Sequence, residues 1–284
     1  MYTRIAVGVD HSECSPYALE QALSLAASEE AELILISVIP GYDGDLRLMG
    51  NTSILETMRE PYVAALEDAC QQADRRRIPY TRVLLSGEPA EELLNTIEAQ
   101  RADLVVIGKK ASRVMHLIPI GSVSAKLLKL SPIDVLVVPC GKQLDLSTLL
   151  VAFDGSKHAS EAAAKACTLA LRYGSTYLLS TIYEMSLEGY VLAPEISTQL
   201  HSKAAKLQEP IVAMLRERGV RHFERLVEHG DPVFQGLSEL ARKKDAGLAV
   251  LGSRGTGSLA RVLLGSVAAR FISTGVCPTL VVKT

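Results

Sequence analysis

Short runs of β-branched and aliphatic residues alternate with amphipathic stretches along the whole chain. In the first half the runs are 4–9 (RIAVGV), 33–38 (LILISV), 80–85 (YTRVLL), 103–107 (DLVVI) and 134–138 (DVLVV). In the second they are 149–153 (LLVAF), 177–182 (YLLSTI), 223–227 (FERLV), 247–251 (GLAVL) and 279–282 (TLVV). Several are almost unbroken apolar runs, as expected of parallel strands covered on both faces. Between them, residues 15–28 place Leu19, Ala22, Leu23 and Ala26 on one helical face, and 159–173 do the same with Ala162, Ala163, Ala166, Leu169 and Ala170. Pro89 and Pro232 each follow a glycine and an acidic residue, where a helix begins. Segments 39–57 and 183–202 show the least regular pattern and read as variable loops. Alternating strand and helix predicts an α/β fold, a doubly wound five-stranded parallel sheet in each half.

The halves are copies. Residues 104–122 (LVVIGKKASRVMHLIPIGS) align with 248–266 (LAVLGSRGTGSLARVLLGS) at a constant offset, which also relates Asp10 to Asp154. A chain of 284 residues divides accordingly into domains 1–143 and 147–284, joined by the brief stretch 140–148. The two Rossmann-like sheets are expected to pack about a pseudo-two-fold axis through strands 134–138 and 279–282.

The candidate chemistry lies after the strand at 247–251. Gly252 and Gly255 lack a Cβ and let the backbone turn tightly and approach a ligand. Gly265-Ser266 then opens a helix whose free N–H groups and dipole favour an anion. Asp154 lies at the same sheet edge, as a hydrogen-bond acceptor for a ligand or as the N-cap of the next helix. Sheets of this kind bind ligands beyond the carboxyl ends of their strands, where the strand order reverses. In the first half, Ala111 stands where the second glycine belongs. A Cβ at a position needing positive φ costs about 1–2 kcal/mol. Pro119 stiffens the run before Gly121-Ser122, and Lys109 and Lys110 read as solvated loop residues.

VGVDHS, VAFDGS and VLGSRG-x9-GSVAARFISTGVCPTLVV resemble the universal stress protein family, twice over and along nearly the whole chain. The second-half spacing is similar to that of the ATP-binding branch. The resemblance implies ATP at the switch point of the second sheet. Asp154, with Ala152 and Phe153 beside it, would meet the adenine-ribose end, and Ile182 would offer backbone groups to adenine. Leu251, Gly252, Arg254 and Gly255 would line the ribose and first phosphates; Gly265, Ser266, Val267 and Ala268 would hold the distal ones. A first-half site would comprise Asp10, Val38, Gly108, Gly121, Ser122 and Val123. Mg²⁺ would neutralise phosphate charge, and Arg254 and Arg261 are within reach of phosphate. No catalytic residue is identifiable, so ATP reads as a signal or stabilising ligand in a nucleotide-responsive stress or regulatory protein. The alternatives are a nucleotide-free module for another small ligand or protein partner, and a very slow ATPase.

Charge and cysteines narrow the classes further. The net charge of −2 argues against a general nucleic-acid binder. To residue 144 there are 14 Lys and Arg against 19 Asp and Glu (−5); the remainder has 16 against 13 (+3), the better half for an anion. The Arg75-Arg76-Arg77 run reads as a helix C-terminus rather than a nucleic-acid contact. Five cysteines without CxxC spacing read as reduced, mostly buried thiols of a cytoplasmic protein. The start MYTRIAVGVD enters a strand without a signal-peptide pattern, and no run is long enough to cross a membrane. The histidines show no metal-binding spacing, and neither a P-loop nor a GxGxxG follows a strand. A homodimer through exposed sheet edges and a protein partner of unknown identity complete the expectations.

Overall fold

A computed structural model describes residues 2–41, 52–109, 121–185, 194–255 and 264–283. They form two compact units, 2–109 with 121–141 and the remainder. The first holds β1 (Arg4–Gly8), α1 (Ser15–Glu29), β2 (Glu32–Pro40), α2 (Thr52–Arg76), β3 (Tyr80–Gly87), α3 (Pro89–Ala99), β4 (Leu104–Lys109), α4 (Ser122–Leu130) and β5 (Asp134–Pro139). The second holds β6 (Thr148–Ala152), α5 (Lys157–Tyr173), β7 (Thr176–Tyr183), α6 (Pro194–Leu207), α7 (Glu209–Glu217), β8 (Phe223–His229), α8 (Val233–Lys243), β9 (Leu248–Gly252), α9 (Ser266–Thr274) and β10 (Thr279–Val282). All ten expected strands are present.

Within the first unit the strand order is β3-β2-β1-β4-β5, and within the second β8-β7-β6-β9-β10. Every pairing in both units is parallel. The chain winds outward from β1 in one direction and returns on its other side at β4, so the order reverses between them. In the second unit the reversal falls between β6 and β9. These two gaps are the switch points of the sheets. The central strands are buried over nearly their whole length, whereas β3 is mostly half-buried and β8 mostly exposed.

Two irregular-looking segments are in part helical: each begins at the end of a strand, β2 or β7, and each contains a helix start, α2 at Thr52 and α6 at Pro194. The run Glu56–Glu60 is exposed, Met58 included. Residues 42–51 and 186–193 lie outside the described part. Pro89 is the first residue of α3, whereas Pro232 is the N-cap of α8, one position earlier than a helical residue. Arg75 and Arg76 occupy the last turn of α2, and Arg76 pairs with Glu20 on α1.

Buried polar groups pin the covering layers to the sheets. The Tyr2 hydroxyl donates to Asp134 Oδ2 (2.9 Å), tying the entry of β1 to that of β5. In the second unit Gln208, between α6 and α7, is fully buried. Its Nε2 donates to the carbonyls of Leu179 (3.2 Å) and Leu226 (2.9 Å) and to Thr181 Oγ1 (3.1 Å), while its Oε1 accepts from Arg225 Nε (3.3 Å). One side chain thus clasps β7 and β8. Gln208→Leu keeps the bulk but strands these acceptors away from water. The expected cost is about 1–3 kcal/mol, read from the urea midpoint; an unchanged midpoint would show that the clasp contributes nothing.

Candidate functional site

The carboxyl edge of the second sheet is shaped first by a backbone contact. A methyl group placed on Gly252 would lie 2.7 Å from the His158 carbonyl carbon, 2.8 Å from its oxygen and 2.9 Å from the Ala159 nitrogen. Gly252 therefore lets the first turn of α5 press against the end of β9. Gly108 does the same in the first unit, where an added Cβ would lie 2.7 Å from the Cys14 carbonyl oxygen at the start of α1. The first glycine of each loop is a packing residue.

Gly255 is different. None of the described glycines with positive φ is Gly255, so the backbone-strain argument for this position does not hold. The constraint is a neighbour: a Cβ there would lie 2.7 Å from Asp154 Oδ2. The aspartate and the second glycine face each other across the gap between β6 and β9. Gly265 completes the cluster. It donates its N–H to the Ser253 carbonyl (2.9 Å), and a Cβ on it would meet Arg254 and Gly255 at an ordinary 3.6 Å.

Asp154 is not the cap of α5. Ser156 is: its hydroxyl accepts from the Ala159 N–H (3.1 Å). Asp154 Oδ1 accepts instead from the Ser156 N–H (2.9 Å), closing a turn that leaves the residue exposed. In the sequence Asp-Gly-Ser, the serine lies nearer the helical run and the distance from cap to third amide decides between them. The start of α9 is built otherwise. Its N-cap is Gly265, with no side chain capping the helix, so the leading amides of Ser266, Val267 and Ala268 are left to other acceptors.

Apolar residues form the floor. Leu251 and Ala268 belong to the core with Phe271 and Phe234, and Ala152, Ile182 and Val267 pack on it half-buried. Phe153 is buried, donates its N–H to the Ser180 carbonyl (2.8 Å) and accepts from Thr181 Oγ1 (2.9 Å). The structure thus gathers the described second-half residues expected at the site at one sheet edge. Arg261 lies outside the described residues.

His158 is an addition that the sequence alone did not signal. Burial, then the nearby Arg254 charge, pushes its imidazole below the usual histidine range, and Asp154 pulls weakly the other way. Arg254, His158 and Asp154 are therefore electrostatic neighbours. Gly230 and Gly236 also come together here, each blocked from bearing a Cβ by the other's backbone and by Ile182.

The first unit keeps a cavity of about 300 Å³ at the corresponding edge. Asp10, Val38, Gly108 and Val123 line it, together with Ser15, Tyr62 and Leu93; Gly121 and Ser122 are not among its lining residues. Asp10 Oδ1 accepts from the Ser12 N–H (3.0 Å) and hydroxyl (2.6 Å). Tyr62 stands edge-on to His11, and burial, then Asp10, raises its phenol above the usual range. Lys109 is no solvated loop residue: it is the last residue of β4, paired with Pro139 and only 3% exposed. Lys110, Ala111 and Pro119 lie outside the described residues. No described helix is long and apolar enough to cross a membrane.

With this geometry in view, the comparisons with known proteins are specific. The model of the universal stress protein family matches residues 1–139 and again 146–283. The chain belongs to the universal stress protein family. It is a tandem member: a universal stress protein of Mycolicibacterium smegmatis is 25% identical over 98% of this chain and 96% of its own length. A single-copy relative from Methanocaldococcus jannaschii is 33% identical and covers 48% of this chain and 81% of its own length. A universal stress protein from Archaeoglobus fulgidus shares the fold at a TM-score of 0.72 with 20% identity, across 99% of this chain and 98% of that one.

Two outcomes follow from the geometry. Gly252→Ala forces a Cβ into helix backbone and is expected to cost about 1–3 kcal/mol of stability, whereas Gly265→Ala costs less than about 1 kcal/mol; equal effects in denaturant titrations would refute the distinction. His158 is expected to titrate below an ordinary histidine by NMR. Because its folded-state pKa is the lower one, its contribution to stability is present above the unfolded value and is lost as pH falls through the folded value. An ordinary His158 titration would remove that dependence.

Proposed function

We propose that this tandem universal stress protein binds ATP in its second half and acts as a nucleotide-responsive regulator. The observation that carries the reading is the meeting of Asp154 with Gly255, beside Gly265 and the uncapped start of α9. A Cβ would fill the space between the carboxylate and the loop. A ligand presenting hydroxyl or amino donors at one end and anionic oxygens at the other suits such an edge. Asp154 would accept from the ribose or adenine end, with Ala152, Phe153, Ile182 and Leu251 against the base. Gly255, Gly265, Ser266, Val267 and Ala268 would offer amides and a hydroxyl to the phosphates. Arg254 would add charge, Gly252 would hold the loop in place, and Mg²⁺ would accompany the triphosphate.

Nothing in this set is an evident base for hydrolysis. Donors that hold ground and transition states equally confer affinity without rate, so the nucleotide is read as a ligand rather than a substrate. A cytoplasmic setting and a homodimer belong to the same proposal. Pairing through sheet edges has little support, since β3 and β8 carry Arg82, Glu224 and Arg225 in ion pairs. A second reading, a different small ligand in the first unit, is favoured by the cavity between Asp10, Val38 and Tyr62.

Calorimetric titration with ATP and Mg²⁺ is expected to give one site per chain. Gly255→Ala displaces the Asp154 carboxylate and should weaken that site roughly tenfold, about the worth of one hydrogen bond to a charged group, with the fold retained by circular dichroism. Absence of binding, or full affinity in the folded variant, would overturn the reading. Two equivalent sites would overturn the assignment to the second half alone.

A further inference from the structure

Two cysteines 126 positions apart meet at the carboxyl edge of the first sheet. Cys14 is the N-cap of α1, and Cys140 directly follows β5. Their sulfurs are 2.6 Å apart, about half an ångström beyond a covalent S–S bond. No disulfide joins them. Their backbones are fixed independently: the Cys14 carbonyl accepts from the Ala18 N–H and abuts Gly108, while the Cys140 N–H donates to the Lys109 carbonyl (2.8 Å). The two side chains are thus held face to face by the ends of β4 and β5 and the start of α1.

We propose that Cys14 and Cys140 form a peroxide-oxidisable pair that closes to an intrachain disulfide at the rim of the first-unit cavity. Three features favour reaction at this pair. Cys140 is partly exposed, so an oxidant can reach it, whereas Cys14 is 6% exposed behind it. The start of a 15-residue helix favours an anion at its N-cap. Burial pushes the Lys109 ammonium below the usual lysine range, and negative charge on Cys14 raises it again, so each charge favours the other. Elsewhere burial works against the thiolate. It pushes Cys277 up to about 12, and it raises Cys70 and Cys167 as well.

The chemistry balances with hydrogen peroxide as the two-electron oxidant. The Cys140 sulfur attacks one peroxide oxygen; the O–O bond breaks, and the leaving hydroxide takes up the thiol proton as water. The Cys140 sulfenic acid is then attacked by the Cys14 sulfur. The S–S bond forms, the S–O bond breaks, and the second hydroxide leaves with the Cys14 proton as water. Two thiols and one peroxide give one disulfide and two waters. Closure ties the residue that begins α1 to the end of β5. Asp10, Ser12 and Ser15, in the turn that Cys14 completes, line the cavity, so the redox state of the pair acts on that rim.

The test is thiol counting on the full chain after stoichiometric hydrogen peroxide, followed by denaturation, alkylation and intact mass. The reduced protein takes five alkyl groups. The oxidised protein is expected to take three and to yield a proteolytic fragment joining Cys14 to Cys140. Cys14→Ser and Cys140→Ser should each abolish that fragment, and Cys70→Ser should leave it intact, with circular dichroism confirming that each variant is folded. Five alkyl groups after oxidation would overturn the proposal. So would a disulfide between chains, or one that includes Cys70, Cys167 or Cys277. Because the pair lies in the first unit, none of these outcomes depends on ATP binding in the second.

Discussion

The close approach of a helix start to a strand end, through one glycine, sets the geometry of each half. At Gly252 the backbone of His158 and Ala159 occupies the place of a side chain; at Gly108 the Cys14 carbonyl does. That contact draws the strand-to-helix turn, with its aspartate, over the switch point. Any larger residue would lift the turn away from the gap. The loop after β9 and the turn after β6 therefore meet at a distance fixed by packing, before any ligand is considered. Preorganisation of this kind reduces the ordering cost that binding must overcome.

The same contact gives the two units a common frame and lets their edges differ. In the second, the carboxylate of Asp154 confronts Gly255, and the helix start at Gly265 is uncapped. In the first, the aspartate is engaged by Ser12, an aromatic residue from α2 closes one side, and a buried lysine ends β4. Two edges with the same strand order thus present different chemistry. Both have an aspartate and an uncapped helix start; the second adds the approach of Asp154 to Gly255, the first a cavity with a thiol pair beside it.

How much of this was legible depended on what the residues must satisfy. The strands were readable because parallel strands covered on both faces are continuously apolar, a pattern few other elements produce. The shared edge of Asp154 and the glycine loop was readable because each follows the carboxyl end of a strand, and its place at the switch point came with the family resemblance. The starts of α2 and α6 were missed because both fall within segments whose pattern is the least regular in the chain. Lys109 was misread because a lysine after a glycine looks like a loop; its burial follows from β4 running two residues further than its apolar run. Ser156 and Asp154 are both good caps in sequence, and only helix geometry separates them. The Cys14–Cys140 contact joins positions far apart in sequence, with no spacing rule to announce it.

Glycine was the hardest residue to interpret, and the repeat explains why. A missing Cβ is required equally by a backbone that presses close and by a ligand that does. Gly252 and Gly108 meet helix backbone, so the fold demands both, and both halves have them whatever either half binds. Gly255 meets only the tip of a flexible carboxylate, which can move aside. The fold alone does not compel a glycine there, and the first half, with Ala111 at the matching position, does without it. Within one chain that carries two copies of a unit, the informative glycine is therefore the one the packing does not need. By that argument the halves differ at the second glycine of the loop rather than the first.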